Sequence, residues 1–538
     1  MLARVLWGMW GILAACTVVS AEVIKPNVLL IRIDEPPTPV IGEAGGSIPE
    51  VFDFDQVLNA NWKSERGTCL ASPGRSAVQA ALLFGTPPLQ HGVVADLDWR
   101  RKAVAAQTLA DQLQKAGYHT AFYGTWGLGS AKPFDPQSRG FSQAQYFETA
   151  ASDTLTDIWG LSKNGMKWVF DNPHPEKPYF AYISQGHHLT REVITAQLEE
   201  WISRNAGISN RPTVVVILET GKSSEKSPRG IAPDQYYYPA KWYCFVQGTS
   251  EINGEIKTDW DLYHLIQKVL GEPKSKKQSV MVFHKACWSV SDSPEKHRHR
   301  GSLVIDRDLA LIDGLRLFPA KDLAPDLTAE MDISEHSKQH QHLLTVHAKW
   351  WQGAQAALND QRAFEVGKTD AEKLSLTALD WRTSKIIHPD GSSPLSVPMV
   401  YQENLIEVLD ALKTNAEYRE TFPAYSGSWA VNITRSGRYK ITASLLPEGV
   451  EGEKHKNLKK LEGGQAHIKL GRNEVQLRLH KGATSVSVQT DADPGVTDLE
   501  CWFTGQLPLT RELGAFFVTI ERVGDKKFDL KAKAADSP

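Results

Sequence analysis

KPNVLLIRIDE, Lys25 to Glu35, is a compact apolar run that ends in two acidic residues. An uninterrupted apolar stretch of this length reads as a strand buried on both faces, as in parallel sheets, and ligands of open α/β sheets gather at the carboxyl ends of such strands. The theme recurs downstream. KPYFAYISQGHH (177–188) and RPTVVVILETG (211–221) are again apolar runs that stop in polar residues, with the helical pattern ITAQLEEWISRN (194–205) between them. AAQTLADQLQKAGYHTAFYG (105–124) reads as a helix, with Gly117 as its C-terminal cap, followed by another strand. Strand and helix alternate to about Gly271, so the fold class is α/β, a mostly parallel sheet with helices on both faces.

The chain has 538 residues, too many for one core, and two or three domains are expected. From Glu272 to Asn359 the pattern is less regular and closes in the helical stretch HLLTVHAKWWQGAQAAL; a polar stretch rich in structure breakers over 368–424 reads as a connector. From Tyr425 the character changes to alternating strands, GSWAVNITRSGRYKITASLL, NEVQLRLHKGATSVSVQT and LGAFFVTIERV, which read as an antiparallel β-sandwich over 425–538. A net charge of −3 gives no basic surface for nucleic acid, so no nucleic-acid partner is expected.

Residues 1–21 carry one Arg ahead of an apolar run, with Val19 and Ala21 fitting a cleavage site before Glu22, and read as a secretory signal peptide. The run is too short for a stable membrane span. Leu13-Ala14-Ala15-Cys16 resembles a lipoprotein box, so a lipid anchor at Cys16 stays open beside free secretion; either way the destination is secreted or periplasmic. Cys69, Cys244, Cys287 and Cys501 show no CxxC spacing and read as buried small hydrophobes, with one bridge left open.

Several stretches together resemble one family. NVLLIRIDE is similar to an opening strand N-V-L-L-I-x-x-D-D, and QAALLFGTPPLQHGV (79–93) to the second half of the signature C-x-P-S-R-A-A-L-L-T-G-R-Y-P-x-x-H-G-V. GYHTAFYGTWGLG stands for G-Y-x-T-x-x-x-G-K-W-H-L-G, Arg139-Gly140-Phe141 for R-G-F, KPYFAYISQGHH for K-P-F-F-x-Y-x-S and histidine, and VVVILETG for the late strand ending S-D-N-G. TDWDLYHLIQKVLG resembles the helix that closes the catalytic domain. The chain thus resembles the sulfatases, arylsulfatase-like and formylglycine-dependent hydrolases of sulfate esters with an alkaline-phosphatase-like fold. The resemblance runs from Asn27 to about Gly271, and 272–367 is then the C-terminal part of the same module.

The resemblance also implies what is missing. In the family the signature cysteine becomes formylglycine, the nucleophile. Ungapped alignment puts Arg75 at that position and Gln79 at the signature arginine, while a register shifted by four puts Ala71 at the cysteine. Neither register supplies cysteine or serine. The family's lysine is Thr125, its histidine in G-K-W-H-L-G is Gly127, and Lys241 in YYYPAKWYC stands for a further arginine. His188 matches a substrate-facing histidine. Loss of one donor from such a site costs about 10²–10³ in rate. The family's Ca²⁺ or Mg²⁺ positions correspond to Asp34, Glu35, Glu219 and Thr220, oxygen donors of the right type but with altered lengths. An ion pair of Arg75 with Asp34 or Glu219 is the alternative occupant.

The expected function is a secreted sulfatase-fold pseudoenzyme that binds an anionic or sulfated carbohydrate at the strand ends. Two alternatives stay open: a hydrolase of sulfate or phosphate esters using Ser72, Ser76 or Thr125 with a metal ion, and a non-catalytic partner subunit. The cationic run EKHRHRG (295–301) reads as a solvated loop or, less simply, a glycan contact.

Overall fold

The computed structural model describes residues 24–34, 62–72, 75–91, 93, 107–129, 132, 134–148, 155–171, 175–185, 200–201, 211–220, 238–248, 256–269, 280–284, 288, 292–321, 324–359, 363–370, 372–378, 381–387, 402–446, 453–506 and 511–526. The signal peptide, Cys16, Glu35, His188 and Cys287 lie outside them.

The opening apolar run forms β1 (Asn27–Asp34), the centre of a seven-stranded sheet. The others are β2 (Trp62–Ala71), β3 (His119–Trp126), β4 (Gln143–Glu148), β5 (Tyr179–Gln185), β6 (Thr213–Thr220) and β7 (Tyr238–Gln247), in the order β2-β7-β6-β1-β5-β3-β4. β1 pairs in parallel with β5 and β6, and β3 in parallel with β5 and β4; β7 runs antiparallel to β6 and β2. The sheet is mostly parallel, as the apolar runs imply. Alternation along β1 feeds two cores: Val28 and Leu30 enter one, while Leu29, Ile31 and Ile33 enter the other.

Helices cover these faces. α1 (Arg75–Phe84), the short α2 (Pro88–His91), α3 (Leu109–Lys115), α4 (Leu155–Asp171) and α5 (Asp259–Val269) arise from the stretches between strands. α3 starts in a capping box, with Thr108 Oγ1 accepting from Asp111 N at 3.0 Å and Asp111 Oδ2 accepting from Thr108 N at 2.8 Å. Gly117 just beyond its end is left-handed, with φ of 89°, as a C-terminal cap requires.

α1 is buried on every side because it lies between two sheets. Ala77, Val78, Ala80, Leu82 and Leu83 pack into the core of the first sheet, whereas Ala81 joins Phe283 and Ile305 of a second. The alanines let both sheets approach closely. Gly85 ends the helix at φ of 65°, and a Cβ there would lie 2.2 Å from Tyr263 Cδ1 on α5, so glycine is required on two counts.

The second sheet is antiparallel and sequential: β8 (Val280–His284), β9 (Ser302–Asp306), β10 (Leu309–Ile312), β11 (Arg316–Lys321) and β12 (Ala324–Pro325). The 23-residue α6 (Ser337–Asn359) follows and packs Leu343 against Val282, Val304 and Leu317.

The C-terminal region is a two-sheet sandwich. One sheet holds β13 (Phe364–Val366), β15 (Thr383–Ile387), β16 (Ala424–Ile433), β18 (Gln465–Leu470), β19 (Asn473–Arg478), β21 (Gly495–Thr504) and β22 (Leu513–Gly514); the other holds β14 (Lys373–Thr377), β17 (Gly437–Ser444), β20 (Ser485–Ala492) and β23 (Phe517–Gly524). Between them sit Trp429, Tyr439, Ile441, Leu499 and Phe503. The stretch read as a connector supplies β14 and β15, and β13 lies just before it. Strands of three to five residues with weak alternation gave no clear period-2 signal there. α7 (Gln402–Thr414), α8 (Ala416–Thr421) and α9 (Glu453–Leu458) complete the region.

Candidate functional site

The signature stretch and β3 meet where the resemblance places the catalytic groups. Gln79 has no exposed surface, and its carboxamide spans the gap between α1 and the end of β3. Oε1 accepts the Gly127 backbone N–H at 2.7 Å, and Nε2 donates to the Thr125 carbonyl at 3.3 Å. Side chains here are tightly abutted. A Cβ on Gly127 would stand 2.7 Å from Ser76 Oγ, so a side chain at 127 requires the Ser76 hydroxyl to shift. Arg75 begins α1, which puts its backbone at this junction; its side chain lies outside the described residues.

The strand ends next door hold the acidic residues. Register places Asp34 beside Thr220 and Ile33 beside Glu219. Thr220 follows Val216 and Leu218 on the sheet face that also receives Leu30, whereas Glu219 follows Val215 and Ile217 on the opposite face. Glu219 is 4% exposed and stands directly opposite Lys241 of β7 in the antiparallel register. Thr220 Oγ1 donates to the Ile33 carbonyl at 3.3 Å. Oxygen ligands of Ca²⁺ or Mg²⁺ must converge lone pairs on one point. Glu219 and Thr220 diverge, and the Thr220 hydroxyl faces a backbone acceptor. Among the described residues, no three His, Cys, Asp or Glu are grouped to hold a metal ion. Glu219 and Thr220 therefore do not converge on one cation, while the side chains of Asp34 and Glu35 lie outside the described residues.

Arg32 adds a cation that sequence reasoning passed over. It is 1% exposed, in register with Ser184 on β5 and Leu218 on β6, and two residues before Asp34 on the same face of β1. Its signal was present, a lone charge inside an apolar run. A guanidinium kept out of water inside a sheet has to be held by polar or charged partners there.

Below α1, Ser72 N donates to Asp259 Oδ2 at 2.8 Å, and Trp260 N donates to Asp259 Oδ1 at 3.1 Å. Asp259 therefore ties the N-terminal end of α5 to the segment entering α1. Burial pushes its carboxyl up to about 7, against hydrogen bonds from Ser72 and Trp260 that favour the charged form. Ser72 and Ser76 have no exposed surface and Thr125 is 6% exposed, so none of these hydroxyls faces solvent. His91 is also buried; its Nδ1 accepts from Val93 N at 3.1 Å, a helix-end support.

Of the residues singled out from sequence, the structure brings Gln79, Thr125 and Gly127 into one hydrogen-bonded unit and sets Asp34 beside Thr220. It turns Glu219 to the other face. Asp259 became legible only through its contact with Ser72, 187 residues away in sequence.

The family model for sulfatases matches residues 26–284, just under half of the chain. Among solved structures, the chain is similar to Ps i-CgsB, solved with k-i-k-neocarrahexaose, at 14% identity over 61% of this chain and 92% of that one, with a TM-score of 0.43. It is similar to the PsFucS1 sulfatase from Pseudoalteromonas sp. at 14% identity over 62% and 91%, with a TM-score of 0.41. A third protein, solved with its substrate D-glucosamine-2-N,6-O-disulfate, shares 13% identity over 63% and 99%, with a TM-score of 0.40. No curated relative matches the chain.

Proposed function

We propose that this sulfatase-family chain no longer hydrolyses sulfate esters and instead binds an anionic or sulfated glycan at the carboxyl ends of its strands, outside the cytoplasm. The observation that carries the reading is the Gln79 clamp. The positions corresponding to the family's arginine and histidine have become one packed unit, Gln79 bonded to Gly127, with Ser76 filling the space where a histidine would stand. Arg75 at the nucleophile's position cannot form formylglycine, and Thr125 carries no cation. Sulfate transfer needs a nucleophile, an acid for the leaving alcohol and cations around the developing charge; the family's nucleophile, lysine and signature histidine are replaced here by Arg75, Thr125 and Gly127.

Binding needs less. Lys241, half-buried opposite Glu219 in the strand register, and the Arg75 backbone position stand at the strand ends, and their cationic residue types suit an anion. Calorimetric titration of the full chain with a sulfated oligosaccharide and with its desulfated counterpart tests this. Saturable binding of the sulfated form alone, weakened by Lys241→Ala, is expected. Equal affinity for both forms, or none for either, contradicts it.

A further inference from the structure

A second cluster of titratable groups lies far from the strand ends, where α6 meets β8 and the short 3-10 turn Pro294–His297. His347 of α6 is 1% exposed, and neither of its ring nitrogens has a hydrogen-bond partner. His299 lies 4.7 Å away between ring centroids and leaves its buried Nδ1 without a partner. His284 of β8 stands 6.5 Å from His347 and donates from Nε2 to the His297 carbonyl at 3.0 Å. Tryptophans wall the group: Trp350 and Trp351 lie 5.8 and 6.0 Å from His347, and Trp288 stacks on His297 at 5.6 Å. Arg382, from the C-terminal region, covers the Trp288 ring at 5.6 Å and donates to its carbonyl at 3.3 Å. The cationic run EKHRHRG is thus half packed into an aromatic core.

We propose that this cluster is an acid-sensitive clasp: protonation of His347 and its neighbours on acidification releases α6 from the second sheet and loosens the Trp288–Arg382 contact to the C-terminal region.

The charge environment supports it. Burial lowers His347 to about 3 and His284 to about 4, with neighbouring histidines and Arg298 adding to the effect on His347, and burial also lowers His299. The nearby carboxylates are engaged: Asp292 accepts from His297 and Lys296, and Glu295 from Trp351 and Arg298. On α6 itself, His342 pairs with Asp306 of β9, His340 bonds the Gly314 carbonyl, and Lys349 adds positive charge; α2 contributes His91, held by Val93 N. Glu295 partly offsets the effect on His299, and among the described residues no carboxylate hydrogen-bonds the His347 ring. The folded values lie below the ordinary histidine value of 6.5, so the fold favours the neutral rings. Their contribution to stability is complete above that value and is lost as pH falls through it toward 4 and 3.

Hydrogen–deuterium exchange of the full chain, corrected for intrinsic rates, tests the clasp between about pH 7.5 and about pH 5. Peptides of α6 and β8 are expected to lose protection before those of β1, β5 and β6. His347→Phe, which keeps an aromatic ring and removes the titration, is expected to hold α6 protection to lower pH. Unchanged α6 protection in the unsubstituted chain, or loss at the same pH in His347→Phe, overturns the proposal. If that variant fails to fold, histidine C–H NMR titration of the unsubstituted chain decides: resonances titrating well below the ordinary range support the clasp, and all histidines titrating normally overturn it.

Discussion

Gln79 and Gly127, 48 residues apart, are joined by a 2.7 Å hydrogen bond from the Gly127 backbone N–H to Gln79 Oε1. The same carboxamide donates to the Thr125 carbonyl, so one buried side chain fixes α1 against the end of β3. Gln79→Ala strands the Gly127 N–H and the Thr125 carbonyl. An unsatisfied buried backbone group costs about 1–3 kcal/mol, and urea denaturation is expected to show a loss of that size.

Restoring the family's histidine is expected to fail structurally. In Gly127→His the new Cβ meets Ser76 Oγ at 2.7 Å and comes within 3.5 Å of Gln79 Oε1, so the packed unit has to shift. Overpacking of this kind costs about 1–3 kcal/mol, read as a lowered Tm, and no sulfate-ester hydrolysis appears.

Divalent cations are expected to leave stability unchanged. A ligand that binds the folded state raises Tm through mass action. With Glu219 and Thr220 on opposite faces, millimolar Ca²⁺ or Mg²⁺ should give the same melting curve as EDTA. A cation-dependent rise in Tm contradicts this expectation.

The buried thiols give a check on both the sheet and the sandwich. Burial raises Cys69, Cys244 and Cys501, and neighbouring acids add to it: Asp259 and Asp261 for Cys69, Glu65 for Cys244, Glu500 for Cys501. All three are free and buried. Thiolates are the reactive form, so a thiol reagent at mildly alkaline pH is expected to leave these three unmodified in the folded chain and to label them in denaturant, as peptide mass spectrometry resolves.

The α/β half was legible because β1, β5 and β6 are apolar runs with polar ends, and Gly117 marks a helix end in the conformation its position demands. The sandwich strands from Ala424 onward were legible through alternation; β14 and β15 were not, since each is five residues long and draws its stability from pairing with β23 and β16 rather than from its own pattern. At the site, sequence named Gln79, Thr125 and Gly127 but not the bond that unites them. Strand alternation turns Glu219 away from Thr220, whereas register sets it opposite Lys241, and no local motif encodes register between strands. Arg32 was visible as a charge in an apolar run, yet its burial follows only from the central place of β1.

The central claim is that the sulfatase scaffold persists without its hydrolysis. Turnover of 4-nitrophenyl sulfate and 4-nitrophenyl phosphate by the purified full chain, with Ca²⁺, then Mg²⁺, then EDTA, tests it most directly. No release of 4-nitrophenol above a heat-inactivated control is expected on either substrate. Metal-dependent turnover that Asp34→Ala abolishes would contradict the account, and would require a nucleophile that the packed junction of Ser76, Gln79 and Gly127 does not present.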